Sequence, residues 1–316
     1  MTLQDEFRHL VDLLDKPELI WRPQQIATFL FSPKPSGETS VKLPWNLTVT
    51  VYPDDQIGEI VRRKGLYDLI VCEAIWRLVS PGNVVLDVGA NLGYMTSIMS
   101  IQAGQQGSVL AFEPHPDLHD QLRKHIEAWR QEAAINNITL HKKAVSATTG
   151  EARLLEPTGF AGNRAICKLS DAEKPEDQNT GSYFDVETIT LDTLCLEKYD
   201  SIELIKIDVE GAEMLVLSGA DKLLSAHKIK NVIIEDFDPY PSERLSFLES
   251  KGYTIQSLGR TLMGPKLCPP SKPEGLRWGE SPSYLATVNL KAAQERFEPR
   301  GWQCLIGKAK KENISN

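Results

Sequence analysis

Apolar side chains recur at helical spacing at Leu3, Phe7, Leu10, Val11 and Leu14, behind a Thr2-x-x-Asp5 capping signature. After Pro33-Lys-Pro-Ser-Gly37 the period shortens to two, and Leu47, Val49 and Val51 read as a strand with one buried face. Residues 1–60 therefore form an N-terminal extension packed on the main core. Tyr67, Ile70, Val71, Ala74, Ile75 and Leu78 mark a helix face that Pro81-Gly82 stops.

From there strands and helices alternate. Apolar runs predict strands at 84–88, 109–112, 202–209, 232–235, 253–258 and 284–289, with shorter ones at 138–145, 151–155 and 186–191. Helical periodicity fills 93–103, 118–133 (through Leu118, Leu122, Ile126, Trp129 and Ala133), 211–225 and 240–251. The polar stretch 170–182 and the Pro- and Gly-rich stretch 264–282 read as surface loops. Alternation of this kind implies right-handed crossovers and a doubly wound, mainly parallel α/β sheet over residues 61–290, followed by a C-terminal tail at 291–316.

Composition changes this picture little: 41% hydrophobic and 25% charged residues describe an ordinary globular chain, and 316 residues suffice for one large core. Charge does more. A net charge of −8 argues against a protein built to neutralise phosphates, so no nucleic-acid partner is expected. The five cysteines show no C-x-x-C pair, which excludes a disulfide framework or zinc site by spacing. The first residues lack the basic start and apolar core of a signal peptide, and no apolar run approaches the roughly 20 residues of a membrane span. A cytoplasmic protein with no membrane partner is expected.

Chemistry enters where the first strand opens into a helix, at Val85-Leu-Asp-Val-Gly-Ala-Asn-Leu-Gly93. Ligands of such sheets lie beyond the carboxyl ends of the strands, and Gly89 and Gly93 permit close backbone approach there. The second strand ends at Glu113, 113 − 93 = 20 residues on, where a carboxylate can accept from both hydroxyls of a ribose. A dinucleotide fingerprint would need glycine at Asn91 and Tyr94, and neither position has it. S-adenosylmethionine carries a sulfonium and an ammonium but no phosphate, so a loop containing Asp87 suits it better than a pyrophosphate. The rival readings are a dinucleotide-dependent oxidoreductase and a non-catalytic nucleoside-binding protein. A turn with two structural glycines explains less, because Asp87, Gly89, Gly93 and Glu113 stand in register.

The chain resembles the FkbM-type methyltransferase family in several blocks taken in order. These are Leu86-Asp-Val-Gly-Ala-Asn-Leu-Gly93, Ala111-Phe-Glu-Pro-His-Pro116, Ala144-Val-Ser with Gly150, and Thr190-Leu-Asp-Thr193. Ile205-Lys-Ile-Asp-Val-Glu-Gly-Ala-Glu213, Val216-Leu-Ser-Gly-Ala220 and Ser283-Tyr-Leu-Ala-Thr287 follow, so the likeness covers about residues 58–290. It implies the seven-stranded class I methyltransferase sheet, whose last strand runs antiparallel. It also implies that Asp87, Gly89, Ala90, Asn91 and Gly93 hold the methionine part of S-adenosylmethionine, with Glu113 on the ribose and Ala144 by the adenine. Family members often carry Gly-x-Tyr-Glu upstream; here Gly65-Leu-Tyr-Asp68 places the shorter Asp68 near the cofactor.

Methyl transfer is an in-line displacement from an activated donor, so alignment is the main task. An alcohol acceptor also needs a base within hydrogen-bond reach. Asp208 and Glu235, at the ends of consecutive strands, are the candidate catalytic residues, and Asp236 is expected to face the same side. Lys206 shares a side with Asp208 and Glu210 in extended backbone and is expected to pair with an acid or hold an acceptor oxygen. Glu210 and Glu213 equally suit the start of a helix. Asp208, Glu235 and Asp236 could together offer oxygen ligands to Mg2+, but acidic strand tips are common and no metal is favoured. His115 is expected to begin a helix facing solvent, and His119 and His125 to be exposed on that helix. Asn163 and Arg164 could touch the acceptor from a loop; Trp45, Trp129 and Trp278 read as packing residues. The expected reaction is O-methylation of a small-molecule acceptor, a sugar or secondary metabolite, with nitrogen as the alternative acceptor atom.

Overall fold

The structure, a computed structural model, describes residues 17–31, 37–52, 55–157, 181–276 and 282–307, with the backbone alone of 168–170. The expected first helix, Asn163, Arg164 and Trp278 lie outside the described residues. Helices α1 (Pro17–Ile20) and α2 (Gln24–Phe31) precede an antiparallel hairpin of β1 (Thr39–Lys42) and β2 (Thr48–Val51). Leu47, Val49 and Val51 are fully buried, as their alternation predicts. Asp55 caps α3 (Gln56–Lys64) by accepting from Gly58 N, and Asp68 caps α4 (Leu69–Leu78) by accepting from Val71 N, each taking up an otherwise orphaned donor.

The alternating region follows with β3 (Val84–Val88), α5 (Tyr94–Ala103), β4 (Ser108–Phe112), α6 (Pro116–Ala133) and β5 (Ile138–His141). A separate small sheet then forms from β6 (Ala144–Val145), β7 (Gly150–Pro157), β8 (Lys168–Ser170) and β9 (Gly181–Ile189), so the strand read over 138–145 is divided between two sheets. After α7 (Leu191–Cys195) come β10 (Ile202–Ile207), α8 (Glu213–Ser218), α9 (Asp221–Ser225), β11 (Ile229–Glu235) and α10 (Glu243–Ser250). The helix read over 211–225 is broken in two. Gly219 sits at the break because a Cβ there would lie 2.0 Å from the Ser146 carbonyl oxygen, so helix and loop touch through bare backbone. The chain continues through β12 (Thr254–Thr261), β13 (Gly264–Cys268), β14 (Ser283–Thr287), α11 (Leu290–Phe297) and α12 (Gln303–Ile306).

The main sheet has the order β13-β12-β14-β11-β10-β3-β4-β5. Its β5, β4, β3, β10 and β11 pair parallel, and β14 runs antiparallel between β11 and β12, as the family resemblance implies for the last strand. The seven-strand, mainly parallel expectation needs correction, because the sheet has eight strands and is mixed. The extra strand is β13, inside the stretch read as loop. As an edge strand it tolerates Pro265, which removes a donor, opposite Arg260.

One hydrophobic cluster joins Leu43–Val51, α4, α5 and the C-terminal Trp302 and Leu305; the other face packs α8, α9 and α10. The line drawn at residue 60 passes through α3, and α11 and α12 lie in what was read as the tail. No helix among the described residues is long and apolar enough to cross a membrane.

Candidate functional site

Where β3 ends, the chain turns sharply at Gly89, with φ of 80°. A Cβ there would lie 1.8 Å from the Asp208 carbonyl oxygen, so only glycine lets the loops after β3 and β10 meet. The N–H groups of Gly89 and Ala90 both donate to the Phe112 carbonyl, at 3.1 and 2.9 Å, tying the loop to the end of β4. Asn91 N then donates to Glu113 Oε2 at 2.7 Å, and His115 N donates to Glu113 Oε1 at 2.9 Å. Glu113 is thereby fixed in the wall of a cleft of about 1130 Å3, counting its open mouth. Burial raises its carboxyl to about 7, against the lowering effect of those two backbone bonds.

The cleft is lined by Ala90, Asn91, Glu113, Ala144, Asp68, Asp208 and Glu235, which with Gly89 makes eight of the ten residues expected at the site. Asp87 and Gly93 do not line it. Gly93 starts α5, with Leu122 packed against it. Asp87 lies fully buried within β3, where Thr96 Oγ1 donates to its Oδ2 at 2.5 Å. Its Oδ1 accepts no hydrogen bond and stands 4.0 Å from Lys206 Nζ. Asp87 thus reaches the cleft through Lys206, which does line it and pairs with Asp208 at 2.9 Å. Burial alone would lower the lysine; Asp208 and Asp87 more than offset that and raise it to about 12.

At the tip of β11, burial first and then the charges of Asp208, Asp68 and Glu210 push Glu235 up to about 8. Asp236 turns the other way and is fully buried, accepting from Ser242 Oγ and Asp238 N beside Arg244. The three carboxylates therefore do not converge, and no cluster of His, Cys, Asp or Glu suited to a metal occurs among the described residues. Alternation along a strand explains the divergence of Glu235 and Asp236.

The histidine expectations also change. His115 begins α6 but is fully buried, its Nε2 donating to Glu156 of β7 at 2.9 Å with its ring edge-on to Phe184. His125 is buried as well, donating from Nδ1 to the Leu92 carbonyl and accepting at Nε2 from Thr50 N, which fixes a neutral tautomer. His119 is partly buried beside Asp120. Trp45 and Trp129 are packing residues, each with its indole N–H bonded, to Ser97 Oγ and the Thr48 carbonyl. Tyr67, read only as part of a helix face, stands just before α4 and lines the cleft; its place beside Asp68 in Gly65-Leu-Tyr-Asp68 was the available signal.

Among the described lining residues, five carboxylates (Asp68, Glu113, Asp208, Glu210 and Glu235) face two lysines. Lys206 is held by Asp208 and Lys143 by Glu187 at 2.6 Å. Such a cleft attracts a cation and repels a pyrophosphate. The rest of its lining includes the apolar Phe112, Pro114, Leu118, Ala144, Val145 and Leu154, surfaces suited to a purine. A second cavity adjoins this one and shares Tyr67, Asp68 and Glu235 with it.

Strand order defines a class I methyltransferase-like fold, with this cleft beyond the carboxyl ends of its parallel strands. Residues 87–255, more than half of the chain, match the family model described as the methyltransferase FkbM domain, and the chain belongs to that family. It is an S-adenosylmethionine-dependent methyltransferase. Among its relatives, methyltransferase sdnD of Sordaria araneosa is 27% identical over 195 residues, covering 54% of this chain and 73% of that protein. Hexuronic acid methyltransferase AglP of Haloferax volcanii is 28% identical over 187 residues, covering 59% and 68%. The 31-O-demethyl-FK506 methyltransferase FkbM of Streptomyces tacrolimicus is 28% identical over 195 residues, covering 55% and 74%. Among solved structures, the methyltransferase FkbM from Methylobacillus flagellatus is 17% identical with a TM-score of 0.42, covering 74% of this chain and 61% of its own.

Proposed function

We propose that this methyltransferase acts on a hydroxyl oxygen of a small molecule, a sugar or a secondary metabolite, and that Glu235 takes the proton. Relatives named for 31-O-demethyl-FK506 and for 2-O-methyl transfer support an oxygen acceptor, and one named for hexuronic acid supports a sugar. In this reading Glu113 holds the ribose, Ala90 and Asn91 border the methionine part, and Ala144 borders the adenine. Asp87 acts at one remove, as the buried counter-charge of Lys206. When bound, S-adenosylmethionine supplies a methyl group on a positive sulfur, already activated for displacement.

The observation that carries the proposal is Glu235 itself: a carboxyl raised to about 8, on the wall shared by the two cavities. A base tuned near the working pH combines a sufficient ionised fraction with a strong pull on the proton. Lys206 keeps Asp208 in an ion pair, which leaves Glu235 as the better proton acceptor. Glu235→Gln keeps the shape and removes the basicity. Its kcat is expected to fall by about 10²- to 10⁴-fold, while calorimetry returns an S-adenosylmethionine affinity within a few-fold of the parent. An unchanged kcat would remove Glu235 from the mechanism. For the parent, kcat/KM is expected to rise with pH through about 8.

A further inference from the structure

The second cavity has walls unlike those of the first. One side is α1 and α3 with the turn leading into α4; the other is β12 and the chain just beyond β13. Of its sixteen lining residues, only Glu235 and Phe237 fall within the stretch matched by the family model. The cofactor cleft is therefore built largely from the part of the chain shared with the family, and the cavity beside it from parts outside that match.

We infer that this second cavity seats the methyl acceptor and that it selects a compact ring bearing several hydroxyls, a glycoside rather than a flat phenol or a linear hydroxy acid. The inference rests on the oxygen-acceptor reading above. Glu113 lines only the first cavity and Glu235 lines both. An acceptor in the second cavity thus meets Glu235 on the wall shared with the cofactor cleft, which sets it beside the donor as methyl transfer needs.

The chemistry of the walls argues for the ligand class. Gln56, Lys64 and Arg260 offer donors, and Glu18, Asp68 and Glu235 offer acceptors. Lys64 and Glu18 already approach to 3.7 Å, so the cavity carries both signs of charge. A ligand with many hydroxyls can donate to one set and accept from the other. A flat phenol would displace water from these groups without replacing its hydrogen bonds, which is costly. A linear hydroxy acid, with few hydroxyls, would leave most of these groups without a partner in place of water. Phe237 lines the cavity and is itself 74% exposed, an aromatic surface for the C–H face of a pyranose.

The test assays S-adenosylhomocysteine formation on three panels: methyl glycosides of hexoses, deoxyhexoses and uronic acids; phenols and catechols; and linear hydroxy acids. Turnover is expected on at least one glycoside and on no member of the other panels. Leu276→Trp narrows the cavity from an exposed position, and Gln56→Leu removes a polar wall group at an exposed helix start. Each is expected to raise the glycoside KM at least tenfold, with calorimetric affinity for S-adenosylmethionine within about twofold of the parent. Turnover confined to phenols or linear acids, no turnover on any glycoside, or an unchanged KM in both variants would overturn the inference. Methylation of phenols alone would leave the oxygen-acceptor reading standing; methylation of amines alone, on a fourth panel, would bring down both.

Discussion

Glu113 already accepts one backbone N–H at each oxygen, yet an ionised carboxylate has about four acceptor sites, so about two remain for the hydroxyls of a ribose. Its burial makes ionisation unfavourable until donors arrive, which ties the carboxylate's charge to ligand binding. Hydrogen bonds to charged groups are worth about 1.5–3 kcal/mol, or roughly ten- to hundredfold in affinity. Glu113→Ala is therefore expected to weaken S-adenosylmethionine binding by at least tenfold in a calorimetric titration. An unchanged dissociation constant in a folded variant would show that the ribose lies elsewhere. Asp87 should behave differently, although the loop motif set the two side by side. It touches Thr96 and faces Lys206 from beneath the cleft, so Asp87→Asn is expected to leave the cofactor contacts in place. The change should instead lower the Lys206 pKa, which loses one of the two carboxylates that raise it.

The helices outside the sheet are joined by a buried network centred on α4. Arg77 Nε donates to Glu73 at 2.6 Å, and its other nitrogens donate to the carbonyls of Arg296 and Gly301, at 3.0 and 2.8 Å. Glu73 in turn accepts from Cys304 N at 2.9 Å, so a helix that precedes the sheet clasps the segment that follows it. Removing one partner of a buried pair strands the other charge, at a cost of about 3–5 kcal/mol. Arg77→Met is expected to lose that much in urea unfolding, and Glu73→Met/Arg77→Met to recover part of it; a loss below about 1 kcal/mol would mean that the network is not structural. Nothing in the hydrophobic pattern announces such a clasp, because it joins residues more than 200 positions apart. What the pattern does announce are the strands buried on both faces, β3, β4, β10 and β11, since burial there demands unbroken apolar runs. It missed β13 because Gly and Pro at an edge resemble a loop, and it missed the break at Gly219 because the cause is a carbonyl 73 residues away. The site followed the same logic. Glu113, Asp208 and Glu235 were legible as acids at strand ends, and strand alternation already set Asp236 on the face opposite Glu235; the burial of Asp236, His115 and His125 instead depends on Ser242, Glu156 and Thr50, which only the fold brings near.

For the whole molecule, the concentration of carboxylates in one cleft couples stability, pH and cofactor in a single equilibrium. In the folded protein Glu235 is raised to about 8 and Glu113 to about 7, both from an ordinary 4.5. Between those values the folded chain holds protons that the unfolded chain has released. The stability these two groups contribute is therefore fully present below about 4.5 and is lost as pH rises towards 8. A cation in the cleft reverses part of the effect: burial first and then the charges of Asp208 and Asp68 hold Glu235 protonated, and a positive centre beside it offsets both. Two linked outcomes follow. The Tm of the free protein should fall as pH is raised from 5 to 9, and should fall less with saturating S-adenosylmethionine. Titration of the cofactor near pH 7 should release protons, detected as a binding enthalpy that changes with the ionisation enthalpy of the buffer. Glu235→Gln, which cannot ionise, should flatten the upper part of the Tm profile and reduce the proton release. S-adenosylhomocysteine, whose sulfur is neutral, should release fewer protons than S-adenosylmethionine. Equal release by the two ligands would place the positive sulfur away from Glu235, and would separate the cofactor's methyl group from the wall at which we place the acceptor.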